Sequence, residues 1–159
     1  MTATRVANLL RKLEQVFGEL PSPAQADIVP KTSPGNPEYE QLRSRFKDRH
    51  WRDLSAEDLR GEADSLTLFS PEGFRFFLPA FIRAVLLGYG TADLIPDVIV
   101  WKFIPTVDPA LSSYYEDRIR LLTRAQRQAV TDFISFLQDA HPEDFPAGEL
   151  ERAYDSLSS

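Results

Sequence analysis

The chain has 159 residues, a formal net charge of −6, twelve prolines and no cysteine. This length suits one domain with a real core, and the absence of cysteine excludes disulfide scaffolds and thiolate metal sites. A negative balance argues against nucleic acid as a partner, because nucleic-acid binders usually carry a basic excess. We therefore expect a single cytoplasmic domain over residues 1–159, with no metal and no cofactor.

The first third of the chain predicts two helices joined by an irregular segment. Apolar residues at helical spacing predict an amphipathic helix over residues 3–18. Residues 21–37 hold five prolines and predict an irregular, exposed connection. Asn36 followed by Pro37 is a typical helix start, and the helix is expected to continue to about Arg49.

A short helix is expected next, over residues 56–64. Ser55 is a good N-cap. Asp58, three residues later, is placed to form part of a capping box with it. Residues 65–69 fit either an extended connector or the tail of that helix.

A buried central helix is predicted over residues 71–87, and the rest of an all-helical bundle of six to seven helices is arranged around it. Ser70 suits the N-cap and Pro71 the first helical position. Nearly every residue from Phe74 onward is apolar, which is typical of a helix covered on most sides. Pro79 removes a backbone donor in mid-helix, so we expect a kink there.

The remaining chain predicts further helices. Residues 94–104 fit a helix or a buried strand, and we favour the helix because no partner strand is visible. Another helix is expected over residues 110–121. Thr123 and Gln126 form a capping-box pattern that starts a helix ending near residue 139. Residues 139–159 are rich in acids and predict a solvated segment with room for one last short helix.

The exceptions to the apolar character of the central helix fall on one side of it. At 100° per residue they form a narrow polar stripe, consisting of Glu72, Arg75, Pro79 and Arg83. Two guanidinium groups beside a carbonyl freed by proline are suited to a carboxylate, a phosphate or a partner surface. The structural alternative is that both arginines pair with acids such as Asp53 or Asp97, and this alternative is favoured.

A second candidate site is the segment His50-Trp51-Arg52-Asp53. An imidazole, an indole and a guanidinium close together at a helix end are able to bind a ligand or partner. In the structural alternative, which we prefer, Trp51 fills the core while Arg52 and Asp53 pair with each other or with the central helix.

Two segments of the sequence are similar to those of a known group of proteins. They are residues 46–59, which contain HWRDL, and residues 68–81, which contain FSPEGFRFFLPAF. Together they resemble an uncharacterised bacterial family, a domain of unknown function. The resemblance implies a bacterial, mostly helical protein and brings no catalytic residue with it.

Two classes of function are compatible with these features. The first is a non-enzymatic protein-binding module, for example an immunity-protein or antitoxin-like inhibitor, whose negative charge attracts a basic partner. The second is a small-anion binder or enzyme that uses Arg75 and Arg83. A concave, partly apolar cavity at the polar stripe would favour the ligand class, and a flat acidic surface the protein partner. Neither a membrane nor nucleic acid is expected as a partner, and the oligomeric state stays open.

Overall fold

A computed structural model describes residues 2–31 and 35–158 of the chain. In this part of the chain the fold is an all-helical bundle, as predicted, but it has eight α-helices instead of the expected six to seven, together with four short 3₁₀ helices. The α-helices are α1 (Thr2–Phe17), α2 (Pro37–Phe46), α3 (Ser65–Leu68), α4 (Pro71–Leu87), α5 (Ile95–Trp101), α6 (Pro109–Leu121), α7 (Arg124–Ala140) and α8 (Glu149–Ser158).

Helix α4 is the central element, and both of its ends lie where the sequence predicted them. The Ser70 hydroxyl accepts a hydrogen bond from the Gly73 N–H at 3.0 Å, and Pro71 is the first helical residue. Twelve of its 17 residues are buried, so its surface is covered by α1, α5 and α6. Pro79 lies inside the helix, and the kink expected at this residue stays a prediction.

Four phenylalanines form an aromatic cluster where α4 meets α2. The ring of Phe77 lies 5.0 Å from that of Phe46, 5.2 Å from that of Phe69 and 4.9 Å from that of Phe76, measured between centroids. All four side chains are buried. Edge-to-face and offset contacts of this kind add to the stabilisation that burial alone gives.

The helix predicted over residues 56–64 is wrong. Ser55 and Asp58 make both contacts of a capping box, at 2.9 and 3.0 Å, but the chain continues as a series of turns. Gly61 has a φ of 78°, in the left-handed region where helices end. Because the first helical turn fixes several residues for one hydrogen bond, a cap with so short a run behind it is insufficient. The next residues form the separate short helix α3.

Helix α2 ends at Phe46, three residues before the predicted end at Arg49. Asp48 has a φ of 59°, which takes the backbone out of helical geometry. The preference for helix over strand in residues 94–104 is confirmed by α5, where the Lys102 N–H bonds to the Val98 carbonyl at 3.2 Å.

The proline-rich connection is irregular, as predicted, but part of it is buried. Ile28 and Val29 are 2% and 4% exposed, and the Ile28 carbonyl accepts a hydrogen bond from the Ser70 N–H at 2.9 Å. The Ser70 hydroxyl donates to the Asp27 carbonyl. This segment therefore packs against the start of α4, while residues 32–34 lie outside the described residues.

Helices α1 and α8 both pack on α7. Two ion pairs cross from α1 to α7, Arg5 to Asp139 and Lys12 to Asp132, each at 2.6 Å. The C-terminal segment carries the last helix that the sequence left room for. It is not solvated throughout, because Glu149 is only 8% exposed where α8 begins.

Candidate functional site

The polar stripe of α4 does not form a continuous surface. Glu72 is exposed, Arg75 and Arg83 are half-buried, and Pro79 between them is buried. The two guanidinium groups bind different neighbours. Arg75 Nη1 donates a hydrogen bond to the Leu121 carbonyl at 3.3 Å. Arg83 Nη1 donates one to the Arg52 carbonyl at 3.1 Å. The structure therefore does not bring these arginines together as one anion site.

The ion pairs proposed for these arginines are also not present. Among residues 2–31 and 35–158, neither Arg75 nor Arg83 pairs with a carboxylate, so Asp53 and Asp97 do not neutralise them. Backbone carbonyls take that place. Through these hydrogen bonds, both arginines join α4 to neighbouring segments.

A small pocket of about 180 Å³ does open beside Arg75. Its lining also contains the carboxylates of Asp27 and Glu72. Two acids and one arginine give this pocket no positive balance. It is also smaller than the roughly 300 Å³ at which small-molecule sites usually begin.

The segment His50-Trp51-Arg52-Asp53 forms a 3₁₀ helix over Trp51–Asp53, capped by the His50 side chain. Trp51 is 1% exposed and its indole N–H bonds to the Phe17 carbonyl at 3.3 Å, so it fills the core as the structural alternative required. His50 Nδ1 accepts from the Arg52 N–H at 3.0 Å, and its ring meets that of Phe76 edge to face at 5.1 Å.

In the part of the chain that the structure describes, Arg52 and Asp53 do not form an ion pair with each other. Arg52 Nε instead lies 2.8 Å from the Glu14 carboxylate of α1, and its Nη2 donates to the Gly18 carbonyl at 2.9 Å. The Asp53 side chain is exposed. The segment thus connects α1 with α4 through Arg83, and its polar groups are mostly occupied by these contacts.

A larger pocket, which the sequence did not single out, opens between α2, α3, α5 and α6. It has a volume of about 410 Å³, within the range of small-molecule sites. Its lining is mainly apolar and aromatic, and consists of Tyr39, Thr67, Leu68, Trp101, Lys102, Ile104, Thr106, Leu111, Tyr114 and Tyr115. We refer to it as the Lys102 pocket.

The amine of Lys102 is held against the wall of this pocket. Its Nζ donates to the Tyr114 hydroxyl at 3.4 Å and lies 5.1 Å from the centroid of that ring. The Tyr114 hydroxyl donates in turn to the Thr67 carbonyl at 2.9 Å. A hydroxyl anchored to α3 therefore positions the only primary amine among the lining residues.

A second cation contacts the same tyrosine. The guanidinium carbon of Arg118 lies 3.5 Å from the centroid of the Tyr114 ring, and the residue is 6% exposed. Its Nη groups donate to the carbonyls of Tyr114 and Phe69. Its Nε is buried and has no hydrogen-bond partner among the described residues. Tyr114 thus holds two cations by cation–π contact, one of them deeply buried.

No carboxylate in the described residues forms an ion pair with Lys102 or Arg118. Burial lowers the pKa of Lys102 to about 8, the charge of Arg118 acts in the same direction, and Asp64 opposes both. Burial also lowers the pKa of Arg118 and raises that of Tyr114. The pocket is therefore a partly dehydrated positive site without a counterion in contact.

The rim of the Lys102 pocket is unusually apolar for a surface. Trp101 and Leu111, which line the pocket, are 51% and 52% exposed, and Val107, which follows Thr106 of the lining in sequence, is fully exposed. They are three of the five large hydrophobic side chains that the described residues leave exposed. Clustered exposure of this kind marks interaction sites more often than scattered single residues do.

A further groove of about 490 Å³ lies between α7 and α8. Arg124 and Arg127 line it together with polar residues, and Arg124 is exposed. Arg124 is well solvated, whereas Arg127 is half-buried, and the lining holds fewer apolar and aromatic side chains than that of the Lys102 pocket.

Only part of the Lys102 pocket could have been predicted from the sequence. Tyr114 and Arg118 are four residues apart on a predicted helix, a spacing at which side chains meet. Lys102 directly follows the last residue of α5, and nothing local indicates that its amine turns toward α6. The pocket depends on α2, α3, α5 and α6 meeting, which is a property of the tertiary structure.

A protein-family model covers most of the chain. The model of DUF6714, described as a family of unknown function, matches residues 7–154. The chain belongs to this family. The DUF6714 region includes both the polar stripe and the Lys102 pocket, and the expectation of a family without an established role is confirmed. The chain matches no curated protein and no solved structure, so DUF6714 supplies no residue roles.

Two further findings concern the part of this DUF6714 chain that the structure describes. None of its helices is both long enough and apolar enough to cross a bilayer. No group of three or more His, Cys, Asp and Glu side chains is arranged to hold a metal ion.

Proposed function

We propose that this protein binds a small organic anion with an apolar body in the Lys102 pocket, as a binding module rather than as an enzyme. The observation that carries this proposal is the half-buried Lys102 ammonium in an aromatic pocket, where no carboxylate of residues 2–31 and 35–158 forms an ion pair with it. Removing an ammonium from water is unfavourable unless an opposite charge compensates for it. A ligand carboxylate or sulfonate would supply that charge.

The rest of the pocket favours a ligand with an apolar body. Tyr39, Leu68 and Ile104 are half-buried in the lining and leave room for a group of small-molecule size. Binding an anion would raise the pKa of Lys102 back toward its ordinary value, because the charged form would gain a partner. Such binding stabilises the charged amine and buries apolar ligand surface together.

The test uses 8-anilinonaphthalene-1-sulfonate, a fluorescent probe with an aromatic body and one sulfonate. We expect Lys102→Met to weaken its binding by about tenfold or more, since a hydrogen bond to a charged group contributes roughly 1.5–3 kcal/mol. Affinity of the wild-type protein should fall as the pH rises from 7 to 9.5, because Lys102, with its pKa of about 8, loses its charge over this range.

Lys47→Met is the matched control, because Lys47 is exposed and lies outside the pocket lining. It should bind the probe as the wild type does, and octanoate should displace the probe from both proteins. Equal affinity of the Lys102→Met protein for the probe would show that only apolar surface holds it and would contradict anion binding at Lys102.

A second candidate function is supported by the exposed rim. Trp101, Val107 and Leu111 give a protein partner the kind of aromatic and aliphatic anchors that dominate binding energy at interfaces. With a net charge of −6, the partner we propose is a basic protein, and an immunity-protein or antitoxin-like inhibitor is the form such a role would take.

The Trp101→Ala variant separates this candidate from the first. The wild-type protein should capture a basic protein from a lysate of the source organism. The captured amount should fall about tenfold with the Trp101→Ala variant. The basic protein should be retained by Lys102→Met, and mass spectrometry identifies it. Equal capture by the wild type and Trp101→Ala would exclude the rim as the interface.

For either function we also propose a cellular compartment and a source. The absence of cysteine supports a reducing compartment such as the cytoplasm, and the resemblance of residues 46–59 and 68–81 supports a bacterial source. The acidic balance supports neither nucleic acid nor an anionic membrane surface as a partner. Anion binding at Arg75 and Arg83 is a weaker alternative, supported only by the small pocket beside Arg75.

A further inference from the structure

The amine of Lys102 differs from the other three lysines of the chain in its surroundings. Lys12 pairs with Asp132 at 2.6 Å, Lys31 pairs with Asp27 at 3.2 Å, and Lys47 is exposed. Lys102, in contrast to these described lysines, lines a mainly apolar pocket of about 410 Å³, large enough to admit a small molecule. A primary amine kept partly from water, beside a cavity, is the arrangement that makes lysine a nucleophile.

We propose that Lys102 also captures small carbonyl compounds covalently, as a reversible imine within the pocket. This inference rests on the proposed binding function and assigns a second class of ligand to the same site, namely aldehydes or ketones on an apolar body, which meet Lys102 when no anion is paired with it.

The reaction balances without an oxidant or a reductant. The lone pair of the neutral Lys102 Nζ attacks the carbonyl carbon, and the carbonyl oxygen takes up the proton that the nitrogen loses, which gives a carbinolamine. This hydroxyl and the remaining proton of the nitrogen then leave together as water, which gives a carbon–nitrogen double bond. Addition of water to that bond restores the carbinolamine, which releases the carbonyl compound and the neutral amine. The apolar lining favours the imine because it limits access of water to that bond.

The groups around Lys102 determine how much neutral amine is available. Tyr114 and Arg118 face it from α6, Tyr39 lies on α2, and Asp64 precedes α3. Burial and Arg118 disfavour the ammonium, whereas Asp64 favours it. Since the pKa of Lys102 is lowered to about 8, the neutral fraction at pH 7 is roughly 10%, against well below 0.1% for an ordinary lysine.

The experiment traps the imine on the full chain. The protein is incubated at pH 7 with benzaldehyde, which has an apolar body and no acidic group, and with cyanoborohydride, which reduces an imine to a stable secondary amine. Modification at each lysine is measured by peptide mass spectrometry over time. We expect Lys102 to react at least about tenfold faster than Lys47, because its larger neutral fraction outweighs the lower nucleophilicity of a less basic amine. The preference should shrink as the pH approaches 10.

Lys102→Arg keeps the charge and removes the nucleophile, so it should abolish the fast phase while binding of the sulfonate probe persists. Octanoate should protect Lys102 but not Lys47. If Lys102 reacts no faster than Lys47 while the probe still binds in a Lys102-dependent way, covalent capture is refuted and the binding function stands. If the probe also binds without dependence on Lys102, both are refuted.

Discussion

Replacing Phe77 with alanine should lower the free energy of unfolding by about 4 kcal/mol, as is usual for loss of a buried phenylalanine. Phe77 is 1% exposed, and its ring contacts Phe46, Phe69 and Phe76 at about 5 Å. Removing it leaves a cavity in the aromatic cluster that α4 shares with α2. Guanidinium denaturation followed by circular dichroism measures the change.

Leu87→Ala is the matched control, because Leu87 lies on the same helix but is 57% exposed. It should cost under about 1 kcal/mol, since exposed positions away from special contacts tolerate substitution. Phe77→Leu, which fills part of the cavity, should fall between the two. A loss below about 1.5 kcal/mol for Phe77→Ala would mean that the cluster is not the packed core described above.

Gly73→Ala should destabilise the protein by about 2–3 kcal/mol, although alanine favours a helix over glycine by about 1 kcal/mol. A Cβ atom at Gly73 would lie 2.5 Å from the Ile28 carbonyl oxygen. That oxygen also accepts the hydrogen bond of the Ser70 N–H, so it cannot move without disturbing the start of α4. Thermal unfolding compared with the wild type measures the loss.

Gly90→Ala serves as the comparison for that substitution. A Cβ at Gly90 would have no neighbour within 4 Å, and the residue is exposed. Its melting temperature should therefore stay within about 2 °C of the wild type. If Gly73→Ala were equally harmless, the segment around Ile28 would not be packed against α4 as the structure shows.

Local signals in the sequence were sufficient for the main helices. The limits of α4 follow from Ser70, Pro71 and Gly88, and the start of α7 follows from the capping box of Thr123 and Gln126, both of whose contacts are present at 2.9 and 3.1 Å. Such signals act within one turn of the chain, which is why they are readable without knowledge of the fold.

The same kind of signal was misleading at Ser55, where a complete capping box begins no helix. A cap removes only part of the nucleation cost, and the run behind it reaches Gly61 before helical hydrogen bonds accumulate. Burial of Ile28 and Val29 was missed for a different reason. Proline-rich composition indicates irregular backbone but carries no information on what covers it.

The two candidate sites also differ in how far local sequence signals could reveal them. The polar stripe on α4 was visible because helical periodicity places Arg75 and Arg83 on one side, yet their partners are backbone carbonyls far away in sequence. The Lys102 pocket had no periodic signal, since its residues come from four helices and their flanking segments. Convergence of distant segments requires the tertiary structure.

The position of α1 has a consequence for how the protein is made. Leu9, Leu13 and Phe17 of α1 are covered by α4 and α7, and the ion pair of Arg5 joins residues 134 positions apart. Synthesis delivers α1 first and α7 more than a hundred residues later. On the ribosome, the apolar face of α1 therefore lacks its α7 partner until α7 has been synthesised, and a nascent chain halted before α7 would expose that face to chaperones.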